Sequence, residues 1–166
     1  MPVLEVLPYP DERLHQRALP VESVDDEVRT LVRDMAETMH MAPGVGLSAT
    51  QADVHKQVIV VDVSEDQSDL KVLINPRLVE AEGTADAEEG CLSLPGIFET
   101  IPRAERIKVR ALNVDGGLFE MEAEGLLSVC IQHEIDHLEG KVFIERLSRL
   151  KQSRILAKLN KQRRTG

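Results

Sequence analysis

The chain has 166 residues, 42% of them hydrophobic and 30% charged, a composition that excludes intrinsic disorder and predicts a globular protein. Aromatic residues make up only 2%, too few for a base-stacking nucleic-acid platform, and we expect no DNA partner. The formal net charge of −9 is uneven, because residues 141–166 carry nine basic residues and one acid. This segment indicates either a polyanion partner or a merely solvated terminal helix.

Hydrophobic periodicity predicts the secondary structure. The predicted elements are, in chain order, a helix over 26–40, buried strands at 58–61 and 72–74, alternating strands at 107–111 and 119–123, a helix over 126–138 and a basic amphipathic helix at about 148–164. Asp115-Gly116-Gly117 predicts a hairpin turn between the two alternating strands. Helices that bracket mostly antiparallel strands define the α+β class, and we expect a single domain over residues 1–166.

Cysteine content and hydropathy indicate the cellular compartment in which the protein is expected. Two cysteines cannot form a disulfide framework, no stretch approaches the ~20 apolar residues of a membrane helix, and the first residues do not resemble a signal peptide. We therefore expect a cytoplasmic protein with no membrane partner, in a reducing compartment where cysteines more often bind metals or react than cross-link.

Residues 133–137 read His-Glu-Ile-Asp-His, the most informative pattern in the chain. Because residues four apart lie on one helix face, His133 and His137 can hold one metal ion, with Glu134 placed to take a proton from water. The alternative is a charged surface helix with two unused histidines. The apolar residues on its other face favour the metal site.

A catalytic metal usually has three protein ligands, so a third is needed. Phe143 occupies the downstream position where a third histidine would stand, and Glu145 lies too close to His137 for a downstream glutamate ligand. Cys130 would lie ~7.5 Å along the helix axis from the metal, whereas Cys91 belongs to a glycine- and proline-rich segment predicted to be a loop. We therefore predict Cys91 as the third ligand.

Residues 44–51 form a glycine-containing segment, Gly-Val-Gly-Leu-Ser-Ala-Thr-Gln, with Asp62 further on. It fits a dinucleotide fingerprint, but that motif requires a preceding strand and the preceding segment has helical periodicity. The preferred interpretation is a loop whose glycines let a substrate backbone approach, with Gln51 donating to a developing oxyanion.

Taken in this order, Gly44 to Gln51, Glu89 to Ser93 and His133 to His137 resemble the three motifs of the peptide deformylase family, and the resemblance spans nearly the whole chain. Two departures are visible. Ser48 replaces the usual first alanine of the glycine motif, and Phe98 lies in a segment that varies among relatives beside the substrate cleft.

The resemblance implies removal of the N-formyl group from the initiator methionine of new polypeptides, with release of formate. It implies strands around a central metal-binding helix, with Cys91, His133 and His137 holding Fe(II), or Zn(II) or Ni(II) in purified protein. Glu134 would transfer the proton from water to the leaving amine, a role worth about 10²–10⁴ in rate. The metal, the Gln51 side chain and the Leu92 backbone N–H would stabilise the oxyanion.

Substrate contacts are expected from six residues around this centre. The expected set is Val45 and Gly46 as the edge that pairs with the peptide backbone, Glu89 from the cysteine motif, and Leu126, Val129 and Cys130 as the wall of the methionine pocket. Asp136 faces partly away from the metal, and we predict that it pairs with Arg103.

The resemblance also gives the basic tail a partner, since the C-terminal helix of bacterial members docks on the ribosome near the peptide exit. Two alternatives remain at this stage. One is a metallopeptidase or another amidase with the same ligands, which would cleave unformylated peptides. The other is a ribosome-associated factor with a structural metal, which would favour a fourth protein ligand.

Overall fold

A computed structural model describes residues 4–165, with side chains described through residue 162. Three α-helices and seven strands, with short 3₁₀ turns between them, make up the fold. Their bounds are α1 Asp26–Met41, β1 Gly46–Ser48, β2 Val58–Val61, β3 Lys71–Glu82, β4 Ala85–Cys91, β5 Leu94–Arg103, β6 Arg106–Leu112, β7 Leu118–Glu124, α2 Gly125–Leu138 and α3 Arg149–Thr165. Arg163 and Arg164, counted in the basic tail, lie outside the described side chains.

The strands form two antiparallel sheets. The larger has the order β1-β2-β3-β6-β7, and the smaller is the β4–β5 hairpin. The predicted turn between β6 and β7 is confirmed: the Asn113 side chain accepts hydrogen bonds from the N–H groups of Asp115 and Gly117, and Gly116 takes the positive φ of 84° that favours glycine.

The hairpin β4–β5 corrects the predicted loop around Cys91. Residues 88–96 were expected to be a turn or loop because of their glycines and proline. Leu92 and Ser93 do form a turn, but the residues before it belong to β4, which ends at Cys91, and those after it belong to β5. A register shift between Glu89 and Cys91 interrupts the pairing at this point, and such a bulge accommodates the glycine in a strand. The strand depends on pairing with β5, which no local pattern in its own residues indicates.

The predicted first and central helices are confirmed. Asp25 caps α1 by accepting from the Val28 N–H, and the apolar face of α1 packs with β1 and β2 in one core cluster. Ten of the fourteen residues of α2 are buried. Cys130, Ile131 and Leu138 pack against the large sheet, so α2 is the central helix of an α+β domain.

The basic helix α3 also contributes to the core. Ile155 and Leu159 are buried in a cluster with Ile97 and Ile101 of β5 and with Phe143. The C-terminal helix is therefore part of the packed domain, and its polar face remains at the surface. Among the helices that the structure describes, none is long and apolar enough to cross a membrane.

Candidate active site

Three predicted ligand atoms converge between α2 and the end of β4. Nε2 of His133 and Nε2 of His137 lie 3.1 Å apart, and Sγ of Cys91 lies 3.4 Å from Nε2 of His137. All three atoms lie within 4.8 Å of one another. Cys130 is not in this group, in agreement with the distance argument from the sequence.

The donor set fits a divalent metal ion. Nδ1 of His133 lies 2.8 Å from a carboxylate oxygen of Glu89, so Nδ1 donates and Nε2 is the nitrogen that lies near His137. Burial alone lowers the pKa of His133, but its contacts with Cys91 and with the Glu134 and Glu89 carboxylates raise it above its usual range in the metal-free protein. Burial lowers the pKa of His137 and so favours its neutral, ligating form. Two imidazole nitrogens and a thiol at these spacings are ligands for zinc, iron or nickel.

A buried ion-pair network lies behind His133. Arg103 donates to both oxygens of Glu89, at 2.7 and 2.9 Å, and to Asp136 at 2.7 Å, which confirms the predicted Arg103–Asp136 pair. Arg146 donates to the same oxygen of Asp136 at 2.9 Å, a contact that no sequence pattern indicated. Burial alone raises the pKa of Glu89, but hydrogen bonds from Arg103 and His133 bring it below its usual range.

Glu89 was expected to contact substrate. It lies among the residues lining the cleft, yet its carboxylate hydrogen-bonds to Arg103 and His133. The observed contacts orient a candidate metal ligand. The sequence signal for this role was weak, because the two partners lie 14 and 44 residues away.

Glu134 is buried beside the three converging atoms. Desolvation raises the pKa of its carboxyl group to about 7, and its Oε1 has no hydrogen-bond partner within the described residues. Its Oε2 faces Gly46 of β1, where a Cβ atom would lie only 2.6 Å away. Glycine at position 46 therefore makes room for the carboxylate.

Gln51 is held beside Cys91. Its Nε2 donates to Sγ of Cys91 at 3.3 Å and to Oγ of Ser93 at 3.2 Å, while its Oε1 accepts from the Ser48 N–H and hydroxyl group. The additional oxygen of Ser48 is thus buried with a partner, which explains how it replaces alanine. Leu92 follows Cys91 directly and lines the same cleft.

A cleft of about 590 Å³ opens over this centre. The residues predicted to contact substrate, Val45, Gly46, Leu126, Val129 and Cys130, all line it. Phe98 also lines it, with 63% of its surface exposed. The Phe98 ring lies against Gly90, where a Cβ would approach it to 2.7 Å.

A thiol and two imidazoles that converge on one point, beside a buried carboxyl group in a cleft, define the class of mononuclear metal-dependent hydrolases. The comparisons with known proteins refine this class. The model of the polypeptide deformylase family matches residues 3–153. The chain is 60% identical to peptide deformylase 2 of Nitrosomonas europaea over 164 residues, covering 99% of this chain and 89% of that protein.

Solved structures agree with the sequence comparison. A peptide deformylase from Legionella pneumophila superposes with a TM-score of 0.95 at 44% identity, covering 99% of this chain and 97% of the other. The Ehrlichia chaffeensis enzyme in complex with actinonin gives 0.92 at 41% identity, covering 98% of both chains. The chain belongs to the polypeptide deformylase family. It is a metal-dependent hydrolase that removes the N-formyl group from formylmethionyl nascent peptides.

Proposed function

We propose that Cys91, His133 and His137 hold the catalytic metal and that Glu134 is the proton-transfer group. The observation that carries this proposal is the convergence of the three ligand atoms within 4.8 Å of one another beside a buried carboxyl group. A divalent ion bound here supplies Lewis acidity to the formyl carbonyl and makes the attacking water more acidic. Fe(II) is the ion we propose for the active enzyme, with Zn(II) or Ni(II) as substitutes in purified protein.

The protein residues perform the remaining steps. Glu134 accepts the proton of the attacking water and delivers it to the leaving amine, a role for which its unpartnered Oε1 is suited. Nε2 of Gln51 lies 3.3 Å from the thiol, so it is within reach of an oxyanion formed beside that sulfur. The N–H of Leu92 is the second proposed donor.

Substrate binding follows from the cleft. Val129 and Cys130 are buried and would form the apolar wall for the methionine side chain, while Leu126 and Val45 are more exposed and would contact later residues. β1 is an edge strand of the large sheet. We propose that Val45 and Gly46 form the edge that pairs with the peptide backbone, with the hydrogen bonds made by Gly46, because the Val45 carbonyl oxygen is bonded to the Asp62 N–H.

The test is formate release from formyl-Met-Ala-Ser by protein loaded anaerobically with Fe(II) or with Zn(II). Glu134→Gln should retain one bound metal ion per chain and lower kcat by at least about 10²-fold, because the proton acceptor is lost. Glu139→Gln, an exposed change one turn away, is the matched control and should leave kcat unchanged. Full turnover by Glu134→Gln, or cleavage of the unformylated tripeptide, would contradict the proposal.

We further propose that α3 binds the ribosome near the peptide exit, in the cytoplasm. The apolar residues Ile155 and Leu159 face the core, while Arg149, Arg154 and Lys158 are exposed and carry the charge that ribosomal RNA would attract. Deleting α3 is a poor test because it would also remove core side chains.

Charge reversal keeps the core intact. Arg154→Glu together with Lys158→Glu should weaken co-sedimentation with ribosomes and reduce its salt dependence, since phosphate contacts are lost. Turnover of the tripeptide should be unaffected. Arg33→Glu with Arg77→Glu, two exposed positions on α1 and β3, is the control pair. Equal ribosome binding by the α3 variant and the wild type would exclude α3 as the contact.

A further inference from the structure

The segment that joins α1 to β1 forms one wall of the cleft. Residues 42–45 all line the cleft, and the next residue, Gly46, begins the edge strand. The position of this wall therefore determines where a peptide paired with β1 would lie. What holds the segment in place is found behind the cleft, in residues that do not line it.

Asp62, directly after β2, bonds to Val45 at the end of this segment and to His40, two residues before the segment begins. Its backbone N–H donates to the Val45 carbonyl oxygen at 2.8 Å. Its side-chain Oδ2 lies 3.0 Å from Nε2 of His40, in the last turn of α1. One residue thus connects the last turn of α1 to the end of the cleft wall.

The Asp62 side chain is itself firmly placed. It is fully buried, with 0% exposure, and its Oδ1 accepts from the N–H and the hydroxyl group of Ser64. The Gln67 amide donates to the His40 carbonyl oxygen at 3.0 Å. Burial alone raises the pKa of Asp62, but the bonds from Ser64 and His40 bring it below its usual range, so the carboxylate is ionised at neutral pH.

The contacts of Asp62 also determine which backbone groups face the open edge of β1, because β1 and β2 pair in antiparallel fashion. Because the Val45 carbonyl oxygen is bonded to Asp62, the alternation of an antiparallel ladder directs the N–H and C=O of Gly46 away from β2, towards the open edge. The Cα of Gly46 also faces Glu134. A shift of this wall would therefore move a bound peptide relative to Glu134.

We propose that Asp62 and His40 are positioning residues for the edge of the cleft, and that they determine the affinity for substrate residues beyond the formylmethionine. This inference rests on the proposed pairing of Val45 and Gly46 with the peptide backbone. The competing interpretation is a buried pair that only stabilises the fold. The two interpretations differ in whether an effect depends on substrate length.

The experiment compares formyl-Met-Ala-Ser with N-formylmethioninamide, which lacks the residues that extend along β1. For His40→Ala in the metal-loaded enzyme, KM for the tripeptide should rise about 3–10-fold, the factor that one hydrogen bond contributes to an equilibrium constant. The kcat for the tripeptide, and both constants for the amide, should stay within about twofold. His40→Gln, whose amide can still donate to Asp62, should restore KM.

Two further variants serve as a control and as a second test of the contacts of Asp62. His55→Ala removes a histidine whose ring contacts the Arg13 carbonyl oxygen, and it should change neither substrate's KM. Ser64→Ala removes one bond to Asp62 and should show a smaller tripeptide-specific effect, even if His40→Ala fails to fold. Equal effects on both substrates, or none, would overturn the inference. If the wild type released formate from neither substrate, the proposed function would fail instead.

Discussion

Two arginine–glutamate ion pairs in this molecule have the same length and opposite surroundings. Arg103 and Glu89 approach to 2.7 Å with side chains 1% and 3% exposed, and Arg110 and Glu120 approach to 2.7 Å at 50% and 39% exposure. From the distance alone, both ion pairs would be expected to contribute equally to stability. Burial separates them, because a buried charge that loses its partner stays desolvated, whereas an exposed charge is solvated by water.

The two pairs also differ in what they contact. Arg103 and Glu89 lie behind His133 and connect the small sheet to α2, so we expect the same contacts to affect both stability and the candidate metal site. Arg110 and Glu120 connect neighbouring strands on the surface of a hairpin. The sequence contains both kinds of charge in similar local contexts, and only the fold distinguishes them.

The largest effect is expected from Arg103→Met, because it leaves the Glu89 and Asp136 carboxylates buried with one cation fewer. We expect the free energy of unfolding to fall by about 3–5 kcal/mol, measured by urea denaturation of the metal-free protein. Arg103→Lys keeps the charge but loses the planar fork of donors. Its free energy of unfolding should lie between that of Arg103→Met and that of the wild type. A loss below about 1 kcal/mol, the range of exposed pairs, would remove the distinction between the two regions.

The next effect concerns the candidate metal site, and Glu89→Gln tests it. The amide keeps the volume of Glu89 but has one oxygen to offer where the His133 ring and Arg103 both donate. Metal affinity should therefore fall about 10–100-fold, as for other partners of metal-binding histidines. Competition with a chelator measures this. Glu88→Gln changes the exposed neighbour and should leave affinity unchanged; if Glu89→Gln also does so, the carboxylate does not orient the ligand.

Sequence periodicity predicted the elements that local patterns determine. The spacing of apolar residues predicted α1 and α2, and Asp115-Gly116-Gly117 predicted the β6–β7 turn, because both signals lie within a few residues. The strand β4, Ala-Asp-Ala-Glu-Glu-Gly-Cys, was missed because it has no β-branched residue and its only apolar alternation comes from two alanines. Its pairing with β5 supplies the stability that its own residues do not indicate.

In the candidate site, too, local patterns predicted some residues, whereas others are brought together only by packing. Four-residue spacing on one helix brings His133 and His137 together, and elimination pointed to Cys91. Contacts across the chain were predicted only in part: the Arg103–Asp136 pair was expected, but the Arg146–Asp136 contact and the contacts of Glu89 were not. Long-range partners are determined by packing, and a single sequence carries no local signal for them.

The smallest effect is expected at the exposed pair, in a double-mutant cycle of Arg110→Met and Glu120→Gln. The coupling free energy should lie between about 0.2 and 1 kcal/mol, because both side chains are solvated and lose conformational freedom when they pair. At 1 M salt, where the Debye length is about 3 Å, the coupling should fall close to zero. A coupling above about 2 kcal/mol that persists in salt would mean that the hairpin surface excludes water from this pair, and burial would then no longer separate the two regions. Equal stability of all four proteins would instead show that the exposed pair contributes nothing to folding. The difference between this pair and the buried pair of Arg103 would then be larger than expected.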